Sequence, residues 1–255
     1  MDMRVSREVS IALMARAPEP GRAKTRLIPR LGATGAARLH AAMTRRALSA
    51  IAQSGLRAIL WCDPNADHPF FAECALDFGI ALRAQRHGDL GARMHAIFAC
   101  ADGPLLLMGA DCPSIDAALL QVCAESLARA DAVFLPTADG GYGLIGLARP
   151  IPELFADMPW GTEAVMARTR EHLSRLRVEW TEPAQIWDVD TPEDLVRLAA
   201  TGLTNEAIAE HLFLSPLTVK THINRAMVKL DVRDRAQLVV LAYEHGLIRP
   251  GQRPE

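Results

Sequence analysis

The run Pro104-Leu-Leu-Leu-Met-Gly-Ala-Asp111 decides the fold. Four large apolar residues in a row, with no polar alternation, describe a strand buried on both faces, and such strands belong to parallel sheets covered by helices. Upstream, strand-length apolar runs at 9–16, 58–62 and 80–85 alternate with helical stretches at about 33–54, 70–78 and 91–98. The last of these puts Leu90, Met94, Ile97 and Phe98 on one face. Downstream, Ser114 is placed to cap a helix reaching about Ala130. A strand at 132–137, the run 144–147, a helix at 163–174 and the stretch 177–180 that leads to the junction follow. The alternation predicts an α/β fold with a three-layer, mostly parallel, doubly wound sheet.

Half of the 255 residues are hydrophobic, enough for one α/β domain of about 200 residues and a smaller module. Charges, prolines or glycines interrupt every apolar segment before it reaches membrane-spanning length, and no basic stretch leads into an apolar block at the N-terminus. The expectation is a cytoplasmic protein with no membrane partner. Five cysteines, Cys62, Cys74, Cys100, Cys112 and Cys123, show neither Cys-x-x-Cys nor zinc-site spacing, so they read as reduced thiols. Cys112 reads as a small buried residue, although its place beside Asp111 is notable.

Ligands of open α/β sheets bind beyond the carboxyl ends of the strands, so post-strand residues carry the functional reading. Pro20-Gly21-Arg22-Ala23-Lys24-Thr25-Arg26 offers backbone donors and three cations to a diphosphate or triphosphate, or it is a basic surface turn. It is no Walker A loop, since Ala23 stands where that motif needs glycine. Asp111 and Asp190 are post-strand carboxylates; capping is the structural alternative for each. Magnesium takes one or two carboxylates and completes its shell with water and phosphate oxygens. Asp139-Gly140-Gly141-Tyr142 is either a hairpin turn or a loop whose glycines admit a ligand against Tyr142. Asp89 and Arg93 have a helix cap and a surface charge as their plainer readings.

Taken in order, Ala17-Pro-Glu-Pro-Gly-Arg-Ala-Lys-Thr-Arg-Leu27, Gly88-Asp-Leu-Gly-Ala-Arg-Met94, Gly109-Ala-Asp-Cys-Pro113, Asp139-Gly-Gly-Tyr-Gly-Leu-Ile-Gly146, Trp160-Gly-Thr162 and Asp188-Val-Asp-Thr-Pro-Glu-Asp-Leu195 form a set. Over about residues 9–198 this set resembles the GT-A-like group labelled glycosyltransferase or selenodomain-associated transferase 1, related to the CofC and MobA nucleotidyltransferases. The resemblance implies a nucleotide-diphospho-sugar transferase fold acting on a nucleotide or nucleotide-sugar. It implies that Lys24 and Arg26 hold phosphates, and that Asp111 and Asp190 bind magnesium or manganese. Gly21, Arg22, Asp89, Arg93, Asp139, Gly140, Gly141, Tyr142, Trp160 and Thr162 are the expected substrate contacts. Gly143 departs from the pattern, which leads one to expect a second aromatic after Tyr142.

Beyond Gly202 the chemistry changes. Asn205-Glu-Ala-Ile-Ala and Leu214-Ser-Pro-Leu-Thr-Val-Lys-Thr-His222 read as two short helices separated by a turn, a helix-turn-helix pattern or a generic two-helix hairpin. With Lys229-Leu-Asp-Val-Arg-Asp-Arg-Ala-Gln237 they strongly resemble the LuxR/GerE-type DNA-binding domain. That resemblance implies a recognition helix over 216–229, with Val219 and Lys220 at base edges and Thr218, Thr221, Asn224, Arg225 and Lys229 available to bases or phosphates of double-stranded DNA. Leu238, Val239, Ala242, Tyr243 and Leu247 are either core or a homodimer seam. Thr191-Pro-Glu-Asp opens a helix with a cap, a proline at the first position and acids at the positive dipole end. Helix 191–200 is expected to be shared between domains 1–198 and 199–255, standing in for a longer first helix of the LuxR type.

The reading is a magnesium-dependent nucleotidyl- or glycosyl-transferase-like enzyme fused to a DNA-binding module. Its rivals are a transcription regulator that only senses a nucleotide, and an enzyme with a relic or oligomerising helix-turn-helix.

Overall fold

A computed structural model describes residues 8–186 and, further on, residues 204–206, 220, 223, 224, 227, 233–235 and 237. The chain divides into two compact units, residues 1–17 with 44–188 and residues 18–43 with 189–255.

The first unit is built on a seven-stranded sheet in the order β3-β2-β1-β4-β6-β5-β7. The strands are β1 (Ser10–Arg16), β2 (Arg57–Asp63), β3 (Ala81–Ala84), β4 (Leu105–Gly109), β5 (Ala132–Pro136), β6 (Tyr142–Leu147) and β7 (Trp180–Thr181). β1 pairs in parallel with β2 and β4, and β2 with β3. β6 lies antiparallel between β4 and β5, and β7 is parallel to β5. The chain winds from β1 outward through β2 to β3, then returns to β4 on the other side of β1. The strand order therefore reverses between β1 and β4, which is where a doubly wound sheet opens its crevice.

The helices are α1 (Ile28–Ser54), α2 (Pro69–Phe78), α3 (Leu90–Ala99), α4 (Ala117–Leu127) and α5 (Val165–Leu176). Local chemistry explains their ends. His68 accepts the Phe70 N–H at 3.2 Å with Pro69 at the first position of α2, and Gly79 closes that helix at φ 63°. The predicted cap Ser114 yields to Asp116, whose carboxylate accepts the Leu119 N–H at 2.8 Å. The geometry favours it, because Asp116 directly precedes the first turn. Helical backbone in α1 is interrupted at Gly32 (φ 71°, ψ 164°), so the continuous helix begins at the expected place. Arg177 takes the left-handed conformation that terminates α5, and the chain enters β7 three residues later.

The core explains the pattern of β4. Leu105, Leu106, Leu107 and Met108 are all buried, as are all five residues of β5. Leu105, Leu107, Ala132 and Phe134 share one cluster with Phe98, Ile145, Met166 and Leu173. On α3 the expected apolar face is incomplete: Met94, Ile97 and Phe98 are buried, but Leu90 is 43% exposed and Gly91 occupies the buried place. All five cysteines are free thiols. Burial pushes Cys62 and Cys123 to about 12 and Cys74 to about 11, so none of these three is a nucleophile at neutral pH. Among the described residues no helix is long and apolar enough to cross a membrane.

Candidate functional site at the carboxyl end of the sheet

Each strand of the parallel part delivers a polar group at its carboxyl end. Arg16 ends β1, Asp63 ends β2, Gln85 follows β3, and Asp111 stands two residues beyond β4. Arg16 Nε donates to Asp63 Oδ2 at 2.9 Å, and Arg93 Nη2 lies 3.4 Å from the same oxygen. Gln85 is buried; its amide donates to the carbonyls of Trp61 (2.7 Å) and Ala15 (3.3 Å), while its Oε1 accepts from Arg93 Nε (2.9 Å) and Nη2. Arg93, an expected substrate contact, is thus fixed by Gln85 and paired with Asp63. Arg16, Asp63 and Gln85 went unremarked in the sequence, although Asp63 follows an apolar strand run as Asp111 does.

The loop after β4 is held from α1. Arg46 directs Nε and Nη2 onto the carbonyl of Pro113 at 3.0 and 2.8 Å, and burial pulls its pKa down despite the nearby charge of Asp116. Cys112 is buried. A Cβ added at Gly143 would run into Cys112 Sγ and come within 2.6 Å of Ile186 Cδ1. The missing aromatic after Tyr142 therefore has a steric reason: that space belongs to Cys112 and Ile186.

The β5–β6 connection is a hairpin turn, as its Asp-Gly pair allows. Asp139 Oδ1 accepts from Thr137 Oγ1 (2.5 Å) and from the Gly141 N–H (3.2 Å), and Gly140 adopts φ 87°. The hairpin also makes the close approach its glycines permit. The Gly140 carbonyl accepts the Met166 N–H at 2.8 Å, and a Cβ at Gly140 would strike the backbone of Glu163. Tyr142 packs edge-on against Phe134 at 5.4 Å, and burial pushes its phenol upward. At α3, Asp89 caps the Ala92 N–H at 2.8 Å, and the Trp160 indole lies over Gly91, with Nε1 2.7 Å from where a Cβ would be. Thr162 Oγ1 donates to the Pro159 carbonyl at 2.8 Å. Motifs 88–94, 139–142 and 160–162, separate in sequence, are thereby joined within one unit.

In the second unit, Gly21 (φ 86°) and Lys24 (φ 48°, ψ 48°) both take left-handed backbone. Lys24 directly precedes the 3-10 turn Thr25–Leu27 and α1. A left-handed residue followed by a right-handed one turns successive N–H groups into a concavity of the kind that binds anions. Arg22 is exposed and pairs with Glu19 at 3.1 Å, and Arg26 is exposed. Further along, Arg235 Nη1 donates to Asn205 Oδ1 at 3.0 Å, so the first and the last of the three quoted LuxR-type stretches meet. Asp234 accepts the Gln237 N–H at 2.9 Å and Gln237 Oε1 the Arg233 N–H at 2.8 Å, a reciprocal helix start. Lys220 and Asn224 are helical and exposed, whereas Ile223 is buried. Asp190, helix 191–200, Thr218, Val219, Thr221, Arg225, Lys229 and the proposed dimer residues 238–247 lie outside the described residues.

Two family models match the chain. Residues 42–162 match the bacterial family "Uncharacterized protein conserved in bacteria (DUF2064)", and residues 194–242 match the luxR family of bacterial regulatory proteins. The DUF2064 match takes in Asp63, Gln85, Arg93, Asp111 and the hairpin; the luxR-type match takes in Asn205 and Arg235. A crystal structure of a candidate nucleotide-diphospho-sugar transferase from Desulfovibrio desulfuricans G20 is similar at TM-score 0.73 and 29% identity, over 89% of this chain and 99% of that one. The seven-stranded sheet and its helices thus have the GT-A-like nucleotide-sugar transferase fold. A cytidylyltransferase from Leptospira borgpetersenii shares the fold at TM-score 0.50 and 14% identity, over 96% of this chain and 98% of that one. A candidate helix-turn-helix transcriptional regulator of Mycobacterium bovis is 35% identical over 114 residues, 42% of this chain. The transcriptional regulatory protein YxjL of Bacillus subtilis is 45% identical over 56 residues, 22% of this chain. The chain spans only 13% and 26% of the lengths of these two regulators.

Proposed function

We propose that this chain is a magnesium-dependent nucleotidyl- or glycosyl-transferase, acting on a nucleotide or nucleotide-sugar and fused to a module that binds DNA. The observation that carries the reading is the strand order β3-β2-β1-β4-β6-β5-β7 with Asp111 just beyond β4, beside the point where that order reverses. We take residues 1–198 as the transferase and 199–255 as the DNA-binding module, with helix 191–200 common to both.

Among the described residues no three His, Cys, Asp or Glu side chains form a metal cage. A hard carboxylate such as Asp111 fits magnesium, or manganese, which needs only one or two such ligands beside water and phosphate oxygens. Asp190 is the second carboxylate we assign. Bound there, the ion would supply charge neutralisation for the leaving phosphate. Arg46 keeps the Asp111 loop in place through the Pro113 carbonyl. Lys24 and Arg26 contribute cations, and the left-handed Lys24 backbone contributes N–H donors, toward phosphate oxygens.

Thermal unfolding of the full chain with nucleoside triphosphates and nucleotide-sugars, with and without magnesium, tests the reading. A ligand at 100 times its Kd raises stability by about 2.7 kcal/mol. Stabilisation that requires magnesium and disappears in Asp111→Asn supports the metal assignment; unchanged stabilisation in that variant overturns it. The regulators among the relatives favour a second reading, a ligand sensor without turnover. Product formation from the stabilising nucleotide separates the two. For the module, Lys220→Ala is expected to weaken binding to duplex DNA and flatten its salt dependence; an unaltered salt slope means that Lys220 does not face DNA.

A further inference from the structure

We propose that Arg46 is a positioning residue that aims the Asp111 carboxylate at a divalent cation, an inference that rests on the metal reading above. Arg46 stands on α1, outside every motif quoted from the sequence, and meets the site only through the main chain. Its Nε and Nη2 both donate to the Pro113 carbonyl, at 3.0 and 2.8 Å, two residues beyond Asp111. The guanidinium takes that carbonyl rather than Asp116, whose charge it feels and whose carboxylate caps α4.

The link between that carbonyl and Asp111 is stiff. The ring of Pro113 fixes its φ, and Cys112, as the residue before a proline, is restricted as well. The Ile115 N–H donates back to the Cys112 carbonyl at 3.2 Å and closes a turn. Ala110, Cys112, Pro113 and Ile115 are buried, whereas Asp111 is half-buried beyond the carboxyl end of β4. A loop packed in this way has few torsions in which to absorb a movement, so a shift at the Pro113 carbonyl is passed on to Asp111. Without Arg46 that carbonyl loses two donors, and an acceptor left unpaired in such a place turns toward water.

Charge and position have effects of opposite sign here. A cation beside a metal site repels the metal, so a residue acting by its charge alone would, on truncation to alanine, let the metal bind more tightly. A residue that aims a ligand does the reverse. A role in stability alone lowers the unfolding midpoint and leaves the affinity of folded molecules unchanged. Groups that orient a metal ligand from behind are worth about 10- to 100-fold in affinity. Because Arg46 acts through the main chain rather than on the carboxylate itself, the lower end, about tenfold, is expected for Arg46→Ala. Arg46→Lys keeps the positive charge but replaces the planar pair of donors with a single ammonium.

Titration of the full chain with manganese(II), the free ion being counted by its electron paramagnetic resonance signal, tests the role. The wild-type chain is expected to bind the ion, Asp111→Asn to lose it, Arg46→Ala to bind about tenfold more weakly, and Arg46→Lys to fall between Arg46→Ala and wild type. A partly unfolded preparation lowers the number of sites and not their affinity, so misfolding is read apart from positioning. Should Arg46→Ala fail to fold, Arg46→Lys carries the test. Wild-type or tighter affinity in either folded variant overturns the positioning role and leaves the metal reading standing. Binding that survives Asp111→Asn, or a wild-type chain that binds no manganese, overturns the metal reading and the positioning role with it.

Discussion

The two flanks of the strand-order reversal are fixed by opposite means. On the β1–β3 side, side chains that reach across strands hold the surface: Gln85 spans two carbonyls and a guanidinium, and Asp63 gathers two arginines. On the β4–β7 side, side chains that are missing do the work. Gly140 lets the hairpin touch the backbone at Glu163, Gly143 leaves room for Cys112 and Ile186, and Gly146 lies where a Cβ would come 2.5 Å from Leu106. The first flank can be altered atom by atom and should respond in binding. The second tolerates no addition and should respond in stability.

The largest effect is expected on the glycine flank. Gly140→Ala combines a left-handed φ of 87° with a collision against backbone that cannot rotate away. Urea unfolding should show a loss of about 3 kcal/mol or more; a loss below about 1 kcal/mol would mean the two loops are not in contact. On the other flank, Gln85→Ala strips partners from two carbonyls and from Arg93, and about 2 kcal/mol is expected by the same measurement. A Gln85 cost equal to that of Gly140→Ala would erase the contrast. Asp89→Ala removes only the α3 cap and should cost about 1 kcal/mol.

The smallest effect is expected just beyond β7. The hydrogen bond from Arg170 to Glu182, with Nε 2.8 Å from Oε1, lowers the Glu182 pKa, and the Trp180 indole assists. A carboxylate depressed by folding stabilises above its ordinary range, and that contribution is lost as pH falls through the depressed value. The pair is partly exposed, so Glu182→Gln should cost less than about 1 kcal/mol near neutral pH. The difference should vanish in acid; a difference that persists below the carboxylate range would contradict the ion-pair explanation.

Legibility followed sequence distance. Asp89 was readable as a cap and Asp139-Gly140 as a hairpin turn because their partners lie within three residues. The cap of α4 was misplaced by two residues because Ser114 and Asp116 are both good caps, and only the backbone geometry chose between them. Leu90 followed the helical period onto the apolar face, but Trp160 filled that place over Gly91 and left Leu90 outside. The position of Asp111 just beyond a buried strand was readable from the apolar run before it. Arg46 carried no motif, since its partner is a main-chain carbonyl 67 residues away.

By itself the sequence determined the alternation of strands and helices, the buried character of β4, the hairpin and the two family signatures. Each is set by residues a few positions apart, where hydrophobic period, caps and turn chemistry act. Only the tertiary structure decided that β6 runs antiparallel between β4 and β5, that Gly143 has no room for a side chain, and that Arg16 meets Asp63 across 47 residues and Gln85 meets Ala15 across 70. Those contacts exist because parallel pairing brings the carboxyl ends of β1, β2 and β3 side by side, and strand pairing leaves no local trace in the residues that it joins.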